Sequence, residues 1–343
     1  GAVERHAFVL PDQEGWVQGS DCIRLRMDSE RVLPSFASYC LLAEKHREWM
    51  RLQCGGATTM PSLNQDILRR VVLPAPPLET QRKIAAVLSS YDDMIENNTR
   101  RIQVLEEMAQ RIYREWFVHF RYPGHEDVPM VESEIGPIPE GWEVATISAA
   151  VGHKRNSVTP QDFPSEDFRL LSIPAFDQGQ RPEIVAGEEI QSGKFLLDRS
   201  SVLYSKLNPQ TPRVWIAEVG GAMRTVVSSE FLVLVPIPPW TTTTAFLLLA
   251  QRKIARQVAA CANGTSTSHQ RIRPADLLSI QIPVPPRALL LQMDELTAPV
   301  VNLSTSLATQ ETLLRSTRDL LLPRLVSGEL DVSDLDIQVP EAA

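Results

Sequence analysis

The chain has 343 residues and a formal net charge of −8, with 43% hydrophobic and 22% charged residues, an ordinary globular balance that fits about two domains. No apolar run approaches the roughly 18 residues of a membrane helix, which excludes a membrane span. Residues 1–5 lack signal-peptide character, and the four scattered cysteines form neither a disulfide framework nor a zinc site, so we expect a cytoplasmic protein.

An internal repeat covers most of the chain. At a constant offset of 209 residues, the glycine-led segment 55–59 matches 264–268, the proline cluster 74–77 matches 283–286, and 20–25 matches 229–234. Repeats of this kind predict duplicated structural units. Gly1 then corresponds to Gln210. The first unit therefore lacks its start, as expected for a fragment, a truncated gene product or a half-subunit form.

Two long helical patterns follow the proline clusters. From about residue 79 to 118 and from about 287 to 322, mostly apolar residues recur at alternating spacings of four and three, which is the heptad pattern of a coiled coil. Matched lengths in a duplicated chain predict an antiparallel pair, with Asn98 as a polar residue that fixes the register. The expected pairing residues are Ile84, Tyr91, Asn98, Leu105, Ile112, Met293, Val300, Leu307, Leu314 and Leu321.

Between these patterns, residues 142–262 combine short strand-like runs with a predicted helix over 242–261, a mixed α/β pattern. The prediction is an α+β protein whose globular domains are joined by two long antiparallel coiled-coil helices. The predicted segments are a globular domain at 1–76, a long helix at 77–122, a linker at 123–141, a second globular domain at 142–286, a long helix at 287–326 and an acidic tail at 327–343, which is expected to fray from Asp331 onward.

The ends of the helical patterns carry a family resemblance. Pro-Pro-Leu-Glu-Thr-Gln at 76–81 and Trp-Phe-Val-His-Phe-Arg-Tyr-Pro-Gly-His-Glu at 116–126 resemble the central region of type I restriction–modification specificity (S) subunits. Ile-Gly-Pro-Ile-Pro-Glu-Gly-Trp at 135–142 is similar to the start of that family's second target-recognition domain, and Tyr-Ser-Lys-Leu-Asn-Pro at 204–209 is similar to a motif inside such domains. The resemblance covers nearly the whole chain.

The resemblance implies a DNA reader without catalytic activity of its own. In this family two recognition domains each read one half of a bipartite site in double-stranded DNA, while the paired helices set the spacing and dock methyltransferase subunits. Restriction subunits complete the complex, and S-adenosylmethionine, ATP and Mg²⁺ belong to the partner subunits, so no cofactor is expected here. A second copy of the chain is a further candidate partner.

Candidate DNA contacts lie in the second domain, since 141–286 holds 14 Lys or Arg and 12 Asp or Glu against 20 and 30 elsewhere. Phosphate contacts supply affinity and base-edge contacts supply sequence choice. For each candidate, an exposed turn or a solvated charge is the alternative interpretation. The candidates are Lys206 and Arg213 as cations, Asn208 and Gln210 as readers of adenine edges, Lys154 and Arg155 as a basic loop, and Ser229 as a donor to phosphate.

Catalytic motifs are missing from the sequence. It contains no G-x-x-x-x-G-K-[ST] phosphate loop and no G-x-G-x-x-G turn, and no Cys or His pair has metal-ligand spacing, so neither an ATPase nor a metal site is predicted. The alternative to a DNA reader is a coiled-coil scaffold or dimerisation protein that binds only proteins, which the net charge of −8 favours. A steep fall of DNA affinity with salt would separate the two.

Overall fold

A computed structural model describes residues 4–13, 15–54, 62–261 and 270–339, so segments 55–59 and 264–268 of the repeat lie outside the described residues. The α-helices in these ranges are α1 Pro34–Leu42, α2 Glu44–Cys54, α3 Gln65–Leu68, α4 Leu78–Phe117, α5 Ile173–Asp177, α6 Thr242–Leu249, α7 Arg252–Ala260, α8 Pro274–Leu278 and α9 Arg287–Ser327. The strands are β1 Met130–Val131, β2 Ile138–Pro139, β3 Glu143–Thr146, β4 Val151–Lys154, β5 Ser157–Val158, β6 Asp167–Leu171, β7 Glu183–Ala186, β8 Lys194–Leu196, β9 Ser201–Ser205, β10 Val214–Ala217, β11 Thr225–Ser228, β12 Phe231–Pro236 and β13 Gln281–Val284.

The molecule is an α+β protein with two long helices, α4 and α9, and β-sheets between them in sequence. It divides into two compact units, which we call unit 1 (residues 1–99 and 309–343) and unit 2 (residues 100–308). Each long helix contributes residues to both units. No helix in the described ranges is long and apolar enough to cross a membrane.

Unit 1 has an apolar core built by short N-terminal helices on parts of α4 and α9. Pro34 occupies the first turn of α1, where its missing amide hydrogen leaves no helical hydrogen bond unmade. Phe36 of α1 and Leu88 of α4 are fully buried, and Leu325 of α9 is almost fully buried. All three belong to the same cluster.

The start of the predicted acidic tail also packs onto unit 1. Val332 is buried in the same apolar cluster, and the Lys83 ammonium donates to the Ser333 carbonyl oxygen at 2.6 Å. The expectation of fraying is therefore wrong for this part of the tail. Leu330 and Ile337 also pack against this cluster, so several apolar side chains and a backbone acceptor hold this part of the tail.

Gln81 has a structural role in unit 1. Its side chain is fully buried, and its Oε1 accepts from the Leu33 amide at 2.8 Å. Its Nε2 donates to the carbonyl oxygens of Arg31 at 2.9 Å and Pro76 at 2.8 Å. Backbone polar groups buried without partners are costly. The last residue of the Pro-Pro-Leu-Glu-Thr-Gln motif thus satisfies three backbone groups that no secondary structure pairs.

Replacing Gln81 with Met should lower the free energy of unfolding by about 2–4 kcal/mol, because the similar shape is kept while three buried backbone groups lose their partner. Urea unfolding followed by circular dichroism measures this. Gln103→Met, on an exposed position of the same helix, is the matched control and should change stability by less than about 0.5 kcal/mol. Equal effects of the two variants would contradict the assigned role.

The two long helices pair antiparallel in each unit. In unit 1, Arg318 contacts Asp92 at 2.6 Å, and the Asn98 amide donates to Gln310 at 3.4 Å. As the residue number rises along α4, the partner's number falls along α9. In unit 2, the Ser304 hydroxyl donates to Glu106 at 3.5 Å, which continues the same order.

The predicted seam residues are all buried or half-buried, but the contact line on α9 differs in detail. Val301 and Leu322, at 5% and 6% exposure, are more deeply buried than the predicted Val300 and Leu321. A helix with 3.6 residues per turn drifts against a strict heptad. Polar Ser304 and Thr297 also occupy the buried line, where sequence periodicity favours leucine. Of the ten predicted residues, Ile84, Asn98, Met293 and Leu307 are buried, and Tyr91, Leu105, Ile112, Val300, Leu314 and Leu321 are half-buried.

Unit 2 contains two principal sheets. One has four strands in the order β10-β9-β12-β4, and the other has five in the order β5-β8-β11-β6-β7. The chain passes from β11 in the second sheet to β12 in the first through the two-residue turn Ser229 and Glu230. The carbonyl of Glu230 accepts from the Lys206 amide at 2.8 Å, which fixes this turn against the end of β9.

The large aromatic residues near the end of α4 form a core in unit 2. Trp142 is 6% exposed, and its ring lies 5.6 Å from Phe117, 5.2 Å from Phe120 and 5.8 Å from Tyr122 between centroids. The segment between α4 and Trp142, predicted as a linker, includes the antiparallel pair β1 and β2. Buried Ile138 of β2 belongs to the same core.

The predicted helix over 242–261 is two helices rather than one. α6 ends at Leu249 and α7 begins at Arg252, and the intervening Gln251 is buried. Its Nε2 donates to the Leu247 carbonyl at 2.8 Å and to Gln110 of α4 at 2.6 Å. These hydrogen bonds to both α6 and α4 stabilise the break between α6 and α7. The spacing of apolar residues alone does not reveal this break.

The two halves of the repeat differ in their strands. Residues 16–27 contain no strand, although their counterparts at the 209-residue offset form β11 and β12. Strand β12 pairs with β9 and β4, and β11 pairs with β6 and β8. Trp16 and Val17, which correspond to the buried Thr225 and Val226 of β11, are 76% and 94% exposed.

Candidate nucleic-acid interface

Sheet topology brings distant cationic residues to one edge of unit 2. Strands β4 and β9 both run antiparallel to β12 and flank it, with Lys154 opposite Val233 and Ser205 opposite Phe231. The residues that follow β4 and β9 therefore lie beside the start of β12. Arg155 and Lys206 are those residues.

A third cation joins this edge from a later part of the chain. The Ile272 amide donates to the Lys206 carbonyl at 3.1 Å, and the Asn208 amide donates to the Gln270 carbonyl at 2.9 Å. Leu207 and Arg271 consequently form a β-bridge. We call Arg155, Lys206, Arg271 and Glu230 the edge cluster.

The charges of the edge cluster interact. Burial lowers the pKa of Lys206; the Glu230 carboxylate opposes this shift, and the positive charges of Arg155 and Arg271 lower the pKa further. Arg271 binds Glu230 through Nη2 to Oε1 at 3.1 Å and Nε to Oε2 at 3.2 Å. Three cations against one carboxylate leave an excess of positive charge, which attracts a polyanion.

His153 lies next to the edge cluster and is not a free cation. Burial lowers its pKa, and Arg155 and Lys206 lower it further. Its Nε2 atom is buried without a hydrogen-bond partner among the described protein atoms. A neutral imidazole therefore faces the core side of the sheet, while the charges lie at the edge.

Two predicted DNA-contacting cations are paired elsewhere. Arg213 is only 12% exposed, and its Nε and Nη2 donate to the two carboxylate oxygens of Asp177 at 2.6 and 2.9 Å. Lys154 forms a short ion pair with Asp198. Both partners are acidic residues far away in sequence, so neither pair was visible from local sequence. We therefore leave Arg213 and Lys154 out of the proposed contact surface.

The polar candidates occupy different environments. Gln210 and Ser229 are exposed, whereas Asn208 is half-buried in a left-handed conformation with φ of 50°. The Asn208 Oδ1 atom is buried, so this side chain cannot present both amide groups to a base edge as predicted. Its backbone instead carries the turn, because the Thr211 amide donates to the Asn208 carbonyl at 2.9 Å.

Arg271 and Glu230 are site residues that the sequence did not single out for DNA contact. Arg271 precedes α8 by three positions and has no sequence signal that links it to 206. Glu230 belongs to the turn that the repeat identified, but its pairing with Arg271 depends on the bridge across the sheet. Among the described residues, no group of three or more His, Cys, Asp or Glu side chains is arranged to hold a metal ion.

Comparisons with known proteins agree with this architecture. Residues 6–107 match the family model described as the type I restriction modification DNA specificity domain. The chain is 25% identical over 314 residues to the MjaIX specificity subunit of Methanocaldococcus jannaschii, covering 89% of this chain and 71% of the relative. It is 22% identical over 395 residues to the HindI specificity subunit of Haemophilus influenzae, covering 95% and 84%.

A solved structure shares the fold. The S subunit of a type I restriction–modification system from M. genitalium superposes with a TM-score of 0.51 at 14% identity, over 88% of this chain and 74% of that chain. Three findings support the same family. The family model matches the first third of the chain, the relatives extend along most of it, and the two long helices pair. The chain therefore belongs to the specificity (S) subunits of type I restriction–modification systems.

Proposed function

We propose that the edge cluster is where this specificity subunit contacts DNA as it recognises its target sequence. The observation that carries the proposal is the convergence of Arg155, Lys206 and Arg271 on one edge of unit 2, from three separate parts of the chain. Cations that neutralise phosphates supply the sequence-independent part of DNA affinity. Exposed Gln210 and Ser229 are close in sequence to Lys206 and Glu230 and are suited to polar contacts.

The domain arrangement is part of the proposal. Residues 142–286 act as the second recognition domain and residues 1–76 as the C-terminal part of the first, so that together they read a bipartite site. The helices at 77–122 and 287–326 set the spacing of the two halves and dock methyltransferase subunits. Met94 and Met108, which are 52% and 44% exposed on α4, supply apolar surface for such docking.

The partners follow from the family. As an S subunit, the chain assembles with methyltransferase and restriction subunits and binds DNA, and a second copy of the chain is a further candidate. The family assignment agrees with the prediction of a non-catalytic specificity subunit. Methylation and cleavage are then reactions of the partner subunits.

The test is DNA binding by the full chain, alone and with its methyltransferase subunit, measured across salt concentrations and on a randomised duplex library. We expect affinity that falls steeply with salt, because released counterions drive phosphate contact, and enrichment of one bipartite sequence. Salt-independent binding or no binding in either form would instead favour the protein-binding scaffold.

A further inference from the structure

We propose that Glu230, held in place by Arg271, reads an exocyclic amino group on a target base, and so determines sequence preference at one position of the DNA site. This inference rests on the proposed function, and assigns a specific role to the carboxylate at the centre of the edge cluster. A carboxylate is an unexpected group on a surface that binds phosphates, since it repels them. Its presence there therefore needs a reason other than affinity.

The position of Glu230 suits a direct contact with a base. Its side chain is 31% exposed, and that of Arg271 is 55% exposed. The backbone of Glu230 is fixed on both sides: its carbonyl accepts from the Lys206 amide at 2.8 Å, and its amide contacts the Ser228 hydroxyl at 3.3 Å. The carboxylate is thus presented from a constrained turn rather than from a freely moving side chain.

The pairing with Arg271 orients the carboxylate but does not occupy all of its acceptor positions. Each oxygen of Glu230 accepts one hydrogen bond from Arg271. An ionised carboxylate has about four acceptor positions, so each oxygen retains the capacity to accept another donor. In the major groove, the amino groups of cytosine N4 and adenine N6 are the donors that bases present, and acidic side chains accept from cytosine N4.

The internal repeat gives an independent reason to assign Glu230 more than a pairing role. At the 209-residue offset Asp21 corresponds to Glu230, whereas Ser62 corresponds to Arg271. Asp21 is also exposed. An acid therefore occupies this turn in both halves of the chain, although the arginine partner occurs only in the second half. A role limited to neutralising Arg271 therefore does not explain why an acid also occurs in the half of the chain that lacks this arginine.

The experiment compares the full-length wild type with Glu230→Gln, each with the methyltransferase subunit, by sequencing the duplexes selected from a randomised library. Glutamine keeps the shape but loses the charge and prefers adenine edges. We expect the preference for cytosine to fall about tenfold at one position and to move toward adenine there, with the other positions unchanged. Affinity for non-specific DNA should rise, because a repulsive charge is removed.

Glu166→Gln is the matched control, since Glu166 is also a carboxylate bound by an arginine in unit 2, with Arg224 Nε at 2.6 Å, and should leave every position unchanged. Arg271→Gln is a second variant that keeps the carboxylate but releases it, and should weaken the same position. If Glu230→Gln lowers the melting temperature of the protein, Arg271→Gln provides the test of the assignment in its place.

An equal change of affinity for all sequences, or unaltered preferences in both variants, would overturn the assignment of Glu230 while leaving the proposed function intact. Absence of DNA binding by the wild-type complex would overturn the proposed function, and the role of Glu230 with it. The two failures are therefore distinguishable in one experiment.

Discussion

Replacing Arg155, Lys206 and Arg271 together with alanine removes three cations, one of which Glu230 already neutralises, so about two phosphate contacts should be lost. Each contact contributes about 0.9 to the slope of log affinity against log salt, so the slope should become shallower by about 1.8. Between about 50 and 200 mM salt, wild-type affinity should then fall roughly 12-fold more than that of the triple variant. Fluorescence anisotropy with a labelled duplex over a salt series measures both slopes.

Two variants serve as controls for the triple substitution. Lys253→Ala removes an exposed cation from α7. This helix packs toward the end of α4 and contributes no residue to the edge cluster. Arg213→Met removes the cation that Asp177 already neutralises. Neither variant should alter the salt slope. If Arg213→Met made the slope shallower by about 0.9, the amount expected for one phosphate contact, the proposed contact surface would be wrong and the sequence-based assignment of Arg213 would be right.

Trp142→Ala is expected to have the largest effect on stability, a loss of about 3–5 kcal/mol in the free energy of unfolding. The indole is 6% exposed and makes ring contacts with Phe117, Phe120 and Tyr122. Its removal leaves a cavity, because close-packed neighbours relax only partly. Contacts between aromatic rings contribute beyond simple burial. Urea unfolding followed by circular dichroism provides the measurement.

Trp16→Ala is the control, since Trp16 is 76% exposed and the same chemical change there creates no cavity. Its expected effect lies within about 0.5 kcal/mol. Similar losses for the two tryptophans would contradict the assignment of Trp142 to a packed core. A loss confined to Trp142 would also explain why Gly-Trp ends the family-like segment at 135–142: the indole anchors that segment against the end of α4.

The sequence determined the features that depend on neighbouring residues. Heptad spacing predicted two long helices that pair, because an apolar stripe on a helix must be covered. The matched lengths of the helices in a duplicated chain predicted that the pair is antiparallel. The proline clusters predicted where those helices begin, near Leu78 and Arg287. The motif residues also carried the family resemblance, and Gln81 has a structural basis for its place in one of them: it bonds three buried backbone groups.

Only the tertiary structure decided which charged residues are available to a ligand. Arg213 and Lys154 looked like free cations, but acids 36 and 44 residues away in sequence pair with them. Arg271 had no local signal, yet strand pairing places it beside Lys206. Helix periodicity is a short-range property that a sequence displays directly, whereas charge neighbours across a sheet depend on long-range pairing. The helices could therefore be predicted from the chain alone, and the composition of the edge cluster could not.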